Sequence, residues 1–182
     1  MQQMITLGGG CFWCVEAAFI RLDGVVKAQS GYANGEWPNP TYEQVCTGRS
    51  GHAEVVRVTY DDERIHLGQL LDVFFAMHDP TTLNRQGHDA GSQYRSAIYA
   101  ESEADLVSIR RYFETLEPAA HWENQVPVTE VGLLKAFWSA ETVHDMYFDR
   151  NPNQGYCRVV IAPKIEKLQR DFSDSLKPNA RA

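Results

Sequence analysis

The chain has no surplus of positive charge. Its 182 residues hold 17 lysines and arginines against 24 aspartates and glutamates, a formal net charge of −7. That balance argues against a nucleic-acid or anionic-membrane surface as its main partner. No apolar run approaches the length that crosses a bilayer. The opening MQQMITLGGG lacks both a basic leader and a long apolar segment, so no signal peptide is expected. The expected compartment is the cytoplasm, where thiols stay reduced and a disulfide is more often catalytic than structural. Cysteine is scarce: Cys11, Cys14, Cys46 and Cys157 are too few to staple a chain of this length. There is no G-x-G-x-x-G fingerprint. The six histidines show no ligand spacing, so no metal is expected. His52-Ala53-Glu54 is an H-x-E, but no P-C-x-x-C follows it and its surroundings are β-branched, which rejects a zinc-deaminase reading. Repeats, low-complexity tracts and linkers are also missing, leaving one domain over residues 1–182.

What is present suits a soluble globular core: 43% hydrophobic and 23% charged residues. Apolar runs predict strands at 4–7, 25–28, 53–60, 94–100, 126–132 and 157–161. Helical spacing of Phe12, Val15, Phe19 and Ile20 predicts a helix opening at Cys11 and stopping at Asp23-Gly24. Further helices are expected over 67–78, from Ser102 onward, over 141–148 and over 165–172. The polar stretch SGYANGEWPNPTY reads as turns, and Pro80–Gly91 as a loop. Together these predict an α+β domain with helices packed on a small mixed sheet.

The stretch GGGCFWCVEA poses the chemical question. The predicted strand-to-helix junction puts Cys11 in the first turn of a helix, where free N–H groups and the dipole favour a thiolate of lowered pKa. The glycines let a ligand approach the backbone. A buried thiol acting as a small hydrophobe is the plainer reading. Cys11 and Cys14 also spell C-F-W-C, which leaves a thiol–disulfide oxidoreductase open. On the strand 53–60, Glu54 shares a face with Val56, Val58 and Tyr60 by period-2 alternation. Partial desolvation there would raise its pKa and let it hold a proton; an edge carboxylate paired with Arg57 or Arg49 fits the pattern equally well. Asp89, Tyr42 and Tyr94 are, alone, a turn former and two amphipathic packing residues. Cys46 is expected to pack.

The ordered set GCFWC, GYANG, NPTYEQVCTGRSGHAEVVRVTYD, FFAMHDPTT, RQGHDAGSQYRSAIY and NPNQGYC resembles the A-type peptide methionine sulfoxide reductases, from about Leu7 to Lys164. The resemblance implies a two-layer α+β sandwich with a ferredoxin-like core. It implies reduction of the S-epimer of methionine sulfoxide, free or in proteins, each reductase type taking one epimer. Cys11 would attack the sulfoxide sulfur and Glu54 would protonate its oxygen. Tyr42 and Tyr94 would hydrogen-bond that oxygen, Asp89 would organise the polar side, and Phe12 and Trp13 would wall a pocket for the methyl group. Cys157 would resolve the sulfenic acid, with Cys14 its rival, and thioredoxin would reduce the disulfide. No metal or organic cofactor is implied, and nothing in the residue set needs more than a monomer. No cysteine follows Cys157, which excludes a second relay beyond it. A non-catalytic module binding oxidised or apolar peptides is the remaining alternative; the acid and both tyrosines argue against it.

Overall fold

The computed structural model describes residues 1–117 and 122–181. Its centre is β1 (Gln2–Gly8), longer at both ends than the apolar run alone predicts. β1 is flanked by antiparallel neighbours on both sides, β3 (Ala53–Asp61) and β6 (Ala97–Ala100), so that Leu7 lies opposite both Val56 and Ile98. β2 (Val25–Ala33) extends β3, and β8 (Phe137–Ser139) extends β2. β7 (Glu130–Leu133) runs parallel to β6 and closes the other edge. The order is β7-β6-β1-β3-β2-β8, a mixed sheet with antiparallel pairs at its heart.

The predicted alternation in β3 sorts two cores. Val56, Val58 and Tyr60 enter the large cluster beneath the helices. Ala53 and Val55 point the other way, into a smaller cluster with Ala33, Ala97 and Tyr99. The main cluster is filled by α1 (Phe12–Phe19), α3 (Leu67–Met77), α4 (Glu103–Thr115) and α6 (Ala162–Asp171). Ser102 caps α4 as its sequence predicts, accepting from the Asp105 N–H. Leu7 is fully buried in this core. Leu7→Ala is expected to cost about 2–5 kcal/mol, read as a lower denaturant midpoint at unchanged slope.

Several expectations from sequence are corrected. β2 does not stop at Ala28 but runs on through Ser30-Gly31-Tyr32, because β3 and β8 hold it on both edges. Gly31 is needed there: a Cβ would stand 2.4 Å from the Phe137 ring that lies across it. Tyr94 is not in a strand; it ends a 3-10 turn (Ser92–Tyr94) that precedes β6. The loop before it folds a small ribbon of β4 (Arg85–Gln86) and β5 (Asp89–Ala90). The helix expected over 141–148 is broken at Met146, whose φ of 49° separates a 3-10 turn (Thr142–His144) from α5 (Tyr147–Arg150). Cys157–Ile161 is a π-helical turn leading into α6, not a strand. Only Cys157 and Ile161 of the five are buried, four residues apart, and Ile165 and Leu168 continue that helical stripe. The β-branched pair between them faces outward or sideways.

Candidate active site

Three glycines carry the chain from β1 to α1. The turn is made at Gly10, where φ is 90° and a Cβ would lie 2.7 Å from Gln86. Cys11 follows as the residue capping α1, not inside its first turn, and its side chain makes no capping bond. The next N–H, on Phe12, donates to Glu54 Oε2 at 3.2 Å. That contact ties the start of α1 to β3 across 42 residues of sequence.

Glu54 is 1% exposed, and its Oε1 has no partner. Neither arginine pairs with it: Arg57 forms a bidentate bridge to Glu101 at 2.9 and 2.8 Å. Burial pushes the Glu54 carboxyl up to about 8, against the pull of the Phe12 N–H, and the charges of Asp89 and Cys14 push it further. At neutral pH the group is an acid, and its buried Oε1 has no hydrogen-bond partner among the described residues.

The thiols behave as a pair. Cys11, partly exposed, is held well above the ordinary thiol range, first by its hydrogen bond to Cys14, then by burial. Cys14 is lowered to about 7 by the same bond, against burial, with help from the Lys164 charge and the Tyr156 hydroxyl. The lowering expected at Cys11 falls on Cys14, and its first cause is the hydrogen bond between the two thiols.

Tyr42 opens α2 (Tyr42–Cys46), fixed by a Thr41/Gln44 capping box. Burial and then the charge of Glu54 raise the hydroxyl pKa of both Tyr42 and Tyr94, so both are protonated donors. Asp89, in β5, accepts from Tyr156 Oη at 2.6 Å, and that hydroxyl lies 4.0 Å from Cys14 Sγ. Cys46 does not pack: it is exposed and hydrogen-bonds Tyr42. Phe12 is buried against Tyr32, Tyr42 and His144, with centroids 5.8, 6.4 and 5.1 Å away.

Trp13 is gripped by residues that sequence reasoning missed. Tyr147 stacks on it at 3.7 Å and 5°, and Tyr156 meets it edge-on at 6.0 Å. The indole N–H can only donate, so His144 Nδ1 accepts it at 3.1 Å. The His144 proton then lies on Nε2 and donates to Glu141 Oε2 at 3.2 Å. Glu141 also accepts from Tyr32 Oη at 3.1 Å and from the Tyr42 N–H at 3.2 Å. One carboxylate thus links the indole to the start of α2. The sequence signal was the cluster E-T-V-H-D-M-Y-F, which helical spacing alone reads as one short helix.

A cleft of about 140 Å³ adjoins Cys11, lined by Gln86, Asp89, Tyr156 and Lys164 among others. Cys157 is not among its lining residues, although Tyr156 and Val160 are; it is fully buried and feels the charge of Cys14. Among the described residues no group of three or more metal-ligating side chains occurs, and no helix is long and apolar enough to cross a membrane.

The family model for "Peptide methionine sulfoxide reductase" matches residues 3–176. The chain is 48% identical over 176 residues to peptide methionine sulfoxide reductase MsrA of Haloquadratum walsbyi, covering 97% of this chain and 99% of that one. Its structure resembles methionine sulfoxide reductase A of Corynebacterium diphtheriae with a TM-score of 0.79 and 36% identity, over 84% of this chain and 76% of that one. It also resembles Mxr1 of Saccharomyces cerevisiae in complex with Trx2, with a TM-score of 0.53 and 30% identity over 80% and 84% of the two chains. The chain belongs to the peptide methionine sulfoxide reductase family and is an oxidoreductase.

Proposed function

We propose that the protein reduces the S-epimer of methionine sulfoxide, free or within proteins, through a sulfenic acid on Cys11, and that thioredoxin recycles it. The observation that carries this reading is Glu54: a buried, protonated carboxyl with an unpartnered oxygen, one hydrogen bond from the residue after Cys11. Disulfide exchange needs no such acid; a sulfoxide oxygen does. A proton shift along the Cys11–Cys14 hydrogen bond makes Cys11 the thiolate. Its sulfur attacks the sulfoxide sulfur while Glu54 gives its proton to the oxygen. Tyr42 and Tyr94 donate to that oxygen as charge gathers on it. The hydroxyl then passes from the substrate sulfur to Cys11, the transient S–S bond and the substrate S–O bond both break, and the thioether leaves. The substrate sulfur is reduced by two electrons, Cys11 is oxidised to the sulfenic acid and Glu54 is left as the carboxylate. Phe12 and Trp13 wall the methyl pocket, and Asp89, through Tyr156, organises its polar side.

Recycling follows by an intramolecular disulfide to Cys11, with water as the other product. Cys157 is the resolving thiol of this proposal and Cys14 its rival. The thioredoxin step is supported by the likeness to Mxr1 in complex with Trx2. The reaction draws on no cofactor of its own, runs in a monomer and belongs to the reducing cytoplasm. The central β6-β1-β3-β2 order, with α1 and α3 as the crossovers, supports a ferredoxin-like reading of the core.

The test is turnover of each epimer with thioredoxin and its reductase, for wild type, Cys157→Ser and Cys14→Ser. Consumption of the S-epimer alone supports the reading; consumption of neither ends it. Whichever serine variant releases one methionine and stalls names the resolving thiol. A second reading, thiol–disulfide oxidoreductase, is favoured by the hydrogen-bonded Cys11–Cys14 pair. It predicts disulfide reduction by wild type without any sulfoxide, lost in Cys14→Ser. Tyr42→Phe and Tyr94→Phe are each expected to slow the first turnover about 10²-fold, the scale of one lost oxyanion donor, while methionine still forms. Single-turnover rates by rapid quench check this.

A further inference from the structure

Glu16 is the acidic residue of GGGCFWCVEA that the proposed chemistry leaves unused. It lies on α1 three residues after Trp13, so the two share a helix face, and it is 3% exposed. A carboxylate buried that deeply needs partners. Glu16 has no ion pair among the described residues; instead it accepts backbone hydrogen bonds from Met146 and Tyr147. The acidic neighbours Asp145 and Asp149 only repel it. Met146 holds φ 49°, a conformation that a side chain of its size keeps only where its surroundings enforce it. Tyr147, the next residue, is the ring stacked on Trp13. One helix therefore grips the 146–147 segment twice, by the indole at Trp13 and by the carboxylate at Glu16.

We infer that Glu16 is a positioning residue for the substrate pocket: by fixing the Met146–Tyr147 backbone it seats Tyr147 against one face of Trp13 and sets the wall that receives the sulfoxide methyl group. This rests on the proposed reading of Trp13. His144 fixes the indole edge, whereas Glu16 fixes the partner on its face, so the two act independently.

The experiment compares Glu16→Leu, Glu16→Gln, Tyr147→Ala and the Glu16→Leu/Tyr147→Ala double variant. Steady-state KM, the rate of the first turnover and near-ultraviolet circular dichroism are read for each. Glu16→Leu and Tyr147→Ala should each raise KM about tenfold with the first-turnover rate changed less than about threefold, the mark of lost binding rather than lost chemistry. Glu16→Gln, which keeps a carbonyl acceptor, should restore KM to within about threefold of wild type. In the double variant the effects should not multiply, because both changes break one arrangement. A Glu16→Leu enzyme that is less stable but has wild-type KM overturns the inference, and so do multiplicative effects. If Glu16→Leu does not fold, wild-type KM in Tyr147→Ala overturns it alone. Should wild type reduce no sulfoxide, the functional reading fails, yet the clamp is still judged by whether Glu16→Gln keeps the aromatic dichroism that Tyr147→Ala loses.

Discussion

Cys11→Ser is expected to lose sulfoxide reduction altogether, more than about 10⁴-fold below wild type, because a serine hydroxyl is a far weaker nucleophile and carries no thiol to take the oxygen. The same substitution leaves Cys14 with a hydroxyl donor, so Cys14 stays a thiolate near neutrality and still reacts with an alkylating agent. Activity and thiolate content therefore separate in one variant, which loss of fold would not produce. The reciprocal change is as informative. The first cause that raises Cys11 is its bond to Cys14. Cys14→Ala removes it, so the Cys11 pKa should fall, and alkylation of Cys11 at pH 7 should be faster than in wild type. Thiolate absorbance followed from pH 5 to 10 reads both effects.

Glu54→Gln should slow the first turnover about 10²–10⁴-fold, the range for loss of a positioned general acid. The amide still accepts from the Phe12 N–H, so the site keeps its shape without the proton. In wild type the first-turnover rate should decline as pH rises through about 8, where the carboxyl ionises. The Gln variant should lack that limb, and a limb that survives the substitution would assign it to another group. Stability falls in the same direction. The folded carboxyl titrates near 8, above its ordinary value of 4.5, so between these values the folded state binds the extra proton. Wild-type stability then drops as pH rises through that window, and above 8 the buried charge is carried in full. Glu54→Gln should accordingly melt higher than wild type at pH 9, with little difference at pH 5. A residue whose removal stabilises the fold while stopping the reaction is retained for chemistry.

Much of this was legible in the sequence where a single period governs. Alternation over 53–60 placed Glu54 on the helix-facing side of β3, and burial of that side is what raises its pKa. The capping serine at 102 and the amphipathic spacing of 67–78 were equally plain, since local propensity and tertiary packing agree there. Legibility failed where tertiary contacts override local preference. Gly31 reads as a turn until β8 is seen crossing it. The β-branched run 157–161 reads as a strand until the burial of Cys157 and Ile161, four apart, reveals a helix. The coupling of the two thiols was not legible, because a hydrogen bond between two side chains leaves no spacing pattern in the sequence. Tyr156, His144 and Glu141 carry no spacing signature, being brought to Trp13 from more than 120 residues away by the fold alone.

The central position of β1 sets an order of events during synthesis. Its hydrogen-bonding partners are β3 and β6, and the second of these begins at residue 97. At about 5–20 residues per second, ribosomal elongation leaves β1 without its second neighbour for roughly 5–20 s after it is made. Cys11 and Cys14 follow β1 directly. The two thiols of the proposed site thus wait through this interval for the sheet that will shield them. A protein proposed to repair oxidation is therefore most open to it as a nascent chain.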